Sequence, residues 1–190
     1  MKYLELRNHI KLNLFTILDI KKYFPEESEA LLKIQLSRFR SKGYISKIKR
    51  GLYCFDPRAV EEFELAGKLY YPSYISLESA LNYYGMIPDI PQSVTCLSLT
   101  NTKKMSNQFG TFHYIKIKQE LFWGYQSKVL TDKGDNFLIA EKPKALLDFF
   151  YIRKIRNIQD LRLDLTDFDF DTYRKYMKLF PDWVQKIKIN

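Results

Sequence analysis

The stretch Leu36-Ser-Arg-Phe-Arg-Ser-Lys-Gly-Tyr-Ile-Ser-Lys-Ile-Lys-Arg-Gly-Leu-Tyr-Cys-Phe55 decides how the N-terminal part of the chain is read. Its first residues continue a helix that opens near Ser28, in which Leu32, Leu36 and Phe39 recur with a 3.6-residue period and form one apolar stripe. Gly43 follows as the left-handed C-terminal cap. Beyond it, two β-prone runs flank Arg50-Gly51, the pattern of a hairpin. Upstream, Tyr3 to Ile10 has Leu6 and Ile10 four apart on one helical face, and Asn13 interrupts it. Thr16-Ile-Leu-Asp19 matches a capping box that opens a second helix toward Phe24, and Pro25 ends it.

Three short helices followed by a basic hairpin is the order of a winged helix-turn-helix. In that arrangement the third helix enters a DNA major groove and the hairpin lies along the backbone. The charge distribution agrees. Of the formal +9, residues 1 to 55 hold 12 basic and 5 acidic side chains, a net +7, whereas residues 56 to 190 hold 19 and 17. No acidic residue interrupts the block from Lys33 to Arg50. Lys33, Ser37 and Arg40 project away from the apolar stripe and are candidates for base-edge or groove contact, Arg40 being suited to guanine. Arg38, Lys42, Lys47, Lys49 and Arg50 complete the DNA-binding set, with Lys42, Lys47, Lys49 and Arg50 as phosphate contacts. Two other readings stand beside this one: a solvated basic face, and a protein-protein module built on the same fold. Glu26, Glu27 and Glu29 suit the helix dipole at the start of the third helix but would repel phosphates there.

The remainder reads as a second domain. Asp56-Pro57 ends the hairpin, and 58–70 has spacing suited to a linking helix with Val60, Phe63 and Leu69 facing inward. Ser76 to Gly85 reads as a core helix with a Leu77/Ala80/Leu81/Tyr84 stripe. Strands are expected over 93–99, 111–118, 125–130 and 136–140, with 101–110 as a hairpin-like connection. Pro143 opens a helix that buries Leu146, Leu147 and Phe150, and a last helix runs from Asp171 to Leu179. The expected class is α+β: an N-terminal winged helix-turn-helix over 1–57, the linking helix, and over 71–190 a mixed α/β domain with an antiparallel-rich sheet.

Several function classes are disfavoured. The chain lacks G-x-G-x-x-G and Walker A loops. Cys54 and Cys96, with His9 and His113, do not make a structural metal site, and no cofactor is expected. Asp164, Asp167, Asp169 and Asp171 alternate as if on one face of a strand, but their surroundings fit neither an EF-hand nor a nucleotidyltransferase. They read as an acidic strand end with Asp171 capping the last helix. His113 and Ser79 have no partner motif for nucleophilic catalysis, so the chain is not read as an enzyme. The aromatic pairs read mainly as core. No apolar run reaches membrane-span length, and a cytoplasmic protein is expected.

With these pieces in order the chain resembles the AbiEi family of antitoxins of bacterial type IV toxin-antitoxin systems. The likeness rests on Leu36 to Ile45 and Ile48-Lys-Arg-Gly-Leu-Tyr53 in the N-terminal part. In the second domain it rests on Tyr74 to Gly85 and Glu141-Lys-Pro-Lys-Ala-Leu-Leu-Asp148. The resemblance implies an antitoxin and autoregulatory repressor that binds double-stranded DNA at its own promoter and counteracts a nucleotidyltransferase-like toxin through its C-terminal domain. It does not imply an obligatory complex with that toxin. A palindromic promoter would call for a homodimer on DNA.

Overall fold

The capping box anticipated at Thr16 is formed. In the computed structural model, which describes residues 1–130, 135–158 and 161–189, α1 spans Tyr3–His9 and α2 spans Ile17–Lys21. The Thr16 hydroxyl accepts from the Asp19 backbone N–H, while the Asp19 carboxylate accepts from the Thr16 N–H at 2.9 Å. This satisfies two of the backbone donors that a helix start leaves unpaired. Ser28 accepts from Leu31 N–H and opens α3, Glu29–Ser41. Gly43, at φ +72°, adopts the left-handed conformation that stops it.

Strand β1, Leu14–Thr16, is an element that the sequence reading treated only as an interruption. It pairs antiparallel with β3, Leu52–Cys54, which also pairs antiparallel with β2, Ser46–Lys49. The register of β2 and β3 shifts between Lys47 and Lys49, a bulge next to the Arg50-Gly51 turn. Leu6, Ile10, Phe15, Ile20, Leu32, Leu36, Ile45 and Tyr53 form the core beneath these elements, and Phe39 packs against it half-buried.

The helix anticipated over 58–70 starts later. Pro57–Ala59 makes a single 3₁₀ turn capped by Asp56, Val60 is extended, and α4 spans Glu62–Leu69. Its buried residues are Glu64, Leu65, Ala66 and Leu69; Val60 lies before the helix and Phe63 is half-buried. The chain divides into two units, Met1–Leu69 with Val129–Asn136, and Tyr70–Lys128 with Phe137–Asn190, taken over the described residues. The α4 helix therefore falls within the first unit.

The second unit is built on a mixed six-stranded sheet ordered β6-β7-β5-β4-β9-β8. Its strands are β4 Ser73–Ile75, β5 Val94–Ser98, β6 Lys103–Asn107, β7 Gly110–Lys116, β8 Tyr125–Val129 and β9 Asn136–Ala140. Two pairings, β5 with β7 and β4 with β9, are parallel; β4 with β5 and β6 with β7 are antiparallel. The sheet in this unit is thus mixed, and the wholly antiparallel sheet is the three-stranded one. The connection expected over 101–110 contains β6, whose exposed polar residues hid an edge strand. The three-residue β4 was also missed, being too short to show alternation. Helices α5 Leu77–Tyr83, α6 Lys142–Arg153, α7 Phe170–Met177 and α8 Asp182–Gln185 complete the unit. The α6 helix buries every residue from Pro143 to Phe150 rather than one stripe, the behaviour of a helix enclosed on all sides. The molecule is mixed α+β, and no helix among the described residues is long and apolar enough to cross a membrane.

Candidate nucleic-acid interface

The basic residues of the third helix and the hairpin meet around one cleft. The cleft measures ≈ 910 Å³ and is lined by Lys33, Ser37 and Arg40 from α3, and by Lys47, Lys49 and Arg50 from β2 and its turn. Thr16 to Leu18 at the start of α2 and Lys68 from α4 complete its wall. The geometry follows from the helix period. Burying Leu32 and Leu36 turns positions 33, 37 and 40 to another side of the same helix, where the hairpin stands opposite. Arg38 and Lys42 are exposed but do not line the cleft.

The cations are not equivalent. Lys33 pairs with Glu29 at 2.5 Å, and this contact holds the Glu29 carboxyl below its ordinary range. Lys49 donates from Nζ to the Leu69 carbonyl at 2.6 Å, tying the hairpin to the end of α4. Lys68 reaches the buried Glu64 at 3.4 Å. Arg40, Lys47 and Arg50 are exposed and enter no ion pair among the described residues. These three are the charges most available to an anion. Of the acidic residues at the start of α3, Glu27 is engaged by the α-amine of Met1 at 2.5 Å, and Glu29 by Lys33. Lys68 is the cleft residue that sequence reasoning missed; its signal was a lysine on a helix placed directly after the hairpin.

The acidic cluster is arranged otherwise than expected. Asp164 to Asp169 form no strand. Asp169, not Asp171, caps α7 by accepting from Thr172 N–H, and Asp171 pairs with Arg174 at 2.6 Å. A cap two residues earlier suits the turn around Asp167, which has φ +54°. No group of three potential metal ligands occurs among the described residues. His113 lies in β7 and Ser79 in α5, where the Ser79 hydroxyl joins Thr95 at 3.1 Å. Cys54 and Cys96 are free and buried, and burial pushes the Cys54 thiol up to about 11. Of the aromatic pairs, Phe149 and Phe150 are core, whereas Tyr71 and Tyr83 are exposed.

One polar constellation was not anticipated. Lys144 and Asp148, one helical turn apart in α6, form an ion pair with both side chains at 0% exposure. Asp148 also accepts from the hydroxyls of Tyr74 at 3.0 Å and Ser76 at 2.9 Å, and Lys144 donates to the Tyr74 hydroxyl oxygen at 3.0 Å. Rings of Tyr74, Trp123 and Phe180 lie 5.4, 5.1 and 5.3 Å from the ammonium. Gly124 permits this enclosure, since a Cβ there would meet the Lys144 stem at 3.0 Å. Burial lowers the Lys144 ammonium and raises the Asp148 carboxyl, each opposed by the partner's charge. Sealed from solvent, the group has no route to a substrate and acts within the core. Its sequence signal is a Lys and an Asp at i and i+4 inside an otherwise apolar helix.

No protein-family model matches the chain, and comparison with curated proteins gives no match.

Proposed function

We propose that the chain is a DNA-binding antitoxin and autoregulatory repressor whose N-terminal unit is a winged helix. The observation that carries this reading is the cleft in which the α3 cations face those of the hairpin. A three-stranded antiparallel sheet ordered β1-β3-β2 behind three helices supports the winged-helix assignment. In this reading α3 enters the major groove, Ser37 and Arg40 address base edges, and Lys47 and Arg50 hold phosphates. Lys33 and Lys49 contribute charge while engaged within the protein. Arg38 and Lys42 extend the basic field outside the cleft.

The antitoxin role, the promoter as target, the nucleotidyltransferase-like toxin as antagonist and the absence of an enzymatic activity rest on the resemblance to the AbiEi family. A second reading takes the same basic face as a docking surface for a protein partner, favoured by the carboxylate of Glu29 at the cleft wall, which repels a run of phosphates but can accept a hydrogen bond from a protein donor. Fluorescence anisotropy with the chain's own upstream duplex and a scrambled duplex separates the two. If six phosphates are contacted, affinity falls roughly a thousandfold between about 50 and 200 mM salt. Arg40→Ala costs about 1–3 kcal/mol on the upstream duplex and less on the scrambled one. A flat salt response sinks the DNA reading.

A further inference from the structure

The second unit carries a basic cleft of its own. It measures ≈ 440 Å³ and opens beside the end of β7, the C-terminus of α6 and α8. Tyr151 and Trp183 stack within it, ring centroids 6.1 Å apart and planes inclined by 23°. The Arg156 guanidinium lies 5.9 Å from the Trp183 ring centroid. Lys116, Lys118, Lys154 and Arg156 stand exposed at its edge. Lys118 faces Glu120 at 3.4 Å, but Lys116, Lys154 and Arg156 enter no ion pair among the described residues.

Each half of this arrangement has an ordinary explanation by itself. Stacked aromatics fill cores, and a cation at the last turn of α6 complements the helix dipole. Their coincidence does not, because three cations that enter no ion pair among the described residues surround a half-buried aromatic pair and repel one another. A ligand that uses both has a planar π face and a negative charge within one small molecule's reach. The volume suits such a ligand. An acidic peptide would use the cations and leave the rings idle. Duplex DNA would offer phosphates while keeping its bases stacked on each other. We propose that this cleft binds a nucleotide, the base against the Tyr151 and Trp183 rings and the phosphate among Lys116, Lys154 and Arg156. The nucleotide arrives either free or within a single strand.

Equilibrium dialysis of the full chain with adenosine monophosphate, inorganic phosphate and a ten-residue oligo(dA) tests the assignment. The wild type takes up the nucleotide saturably, one per chain. Trp183→Leu weakens nucleotide binding roughly tenfold by removing a stacking face, while phosphate uptake is unchanged. Lys154→Glu combined with Arg156→Glu abolishes uptake of both; these side chains are exposed, so this variant keeps the test intact should Trp183→Leu fail to fold. Arg40→Ala leaves uptake of the monophosphate unchanged, which separates this site from the N-terminal cleft. Binding of oligo(dA) alone identifies the strand as the source, and binding of the monophosphate shows that the free nucleotide suffices. Absence of saturable binding by either nucleotide form overturns the proposal, as does binding indifferent to the charge reversal. Uptake of poly-glutamate without nucleotide overturns it in favour of an acidic protein partner.

Discussion

Lysine is put to opposite uses in the two units. In the N-terminal unit, Lys33 and Lys47 remain solvated around an open cleft and their charge costs the fold little. In the C-terminal unit, Lys144 is withdrawn to 0% exposure and must be matched by Asp148 and Tyr74, with Ser76 donating to Asp148 in turn. The difference teaches that charge is available for binding only where it has not been spent on desolvation. The first set can be deleted with consequences for a partner, and the second only with consequences for the protein.

The largest expected effect lies at the buried pair. Asp148→Ala leaves a buried ammonium without its counter-charge and costs about 3–5 kcal/mol of unfolding free energy in urea denaturation. Lys144→Met together with Asp148→Leu removes both charges and costs less than the single variant, its remaining loss being that of the Tyr74 and Ser76 hydroxyls left without their acceptor. A single-variant loss smaller than the double-variant loss would break the contrast between the units. The comparison would also fail if Asp148→Ala left stability intact but weakened DNA binding.

Glu64 is the intermediate case, a buried carboxylate in the charged unit. It is 3% exposed, and Lys68 reaches it at 3.4 Å. Burial, opposed by Lys68 and reinforced by the charge of Asp135, pushes its carboxyl up from 4.5 to about 7. The folded chain therefore holds a proton that the unfolded chain releases. Stability falls as pH rises from about 4.5 through about 7, and the loss amounts to about 2–3 kcal/mol. Glu64→Gln flattens that slope in denaturation curves taken across the same range, and is relatively most stabilising near pH 8. A wild-type slope of the opposite sign would mean that Lys68 outweighs burial, placing Glu64 with the solvated charges of the cleft.

Legibility followed the same division. Solvent-exposed patterning could be read directly. The Leu32/Leu36 stripe sets the face of α3, so positions 33, 37 and 40 could be assigned to a side of the helix away from the core, and that side lines the cleft. Thr16 announced its helix because a capping box is local chemistry. What depended on distant partners was not readable. β1 exists because β3 pairs with it, Phe15 opposite Tyr53, and its three residues carry no period of their own. Lys144 and Asp148 resembled a solvated i, i+4 pair, and their burial is decided by Tyr74, Trp123 and Phe180 from elsewhere in the chain. Asp169 rather than Asp171 became the cap because the turn at Asp167 brings the chain into α7 two residues early.

The smallest structural effect is expected at Lys33, and it sharpens the comparison most. Its ion pair with Glu29 is short, yet both side chains are more than half exposed, at 52% and 62%. Such pairs are screened by solvent and contribute little to folding. Lys33→Gln therefore shifts the thermal midpoint by less than about 2 °C. On DNA the same change frees Glu29 to repel phosphates and removes one cation from the cleft, lowering the magnitude of the logarithmic salt slope by about 0.9 if Lys33 meets a phosphate. A thermal shift as large as that of Asp148→Ala would erase the distinction between solvated and buried lysines. An unchanged salt slope would assign Lys33 to the Glu29 pair alone, leaving the binding face to Arg40, Lys47 and Arg50.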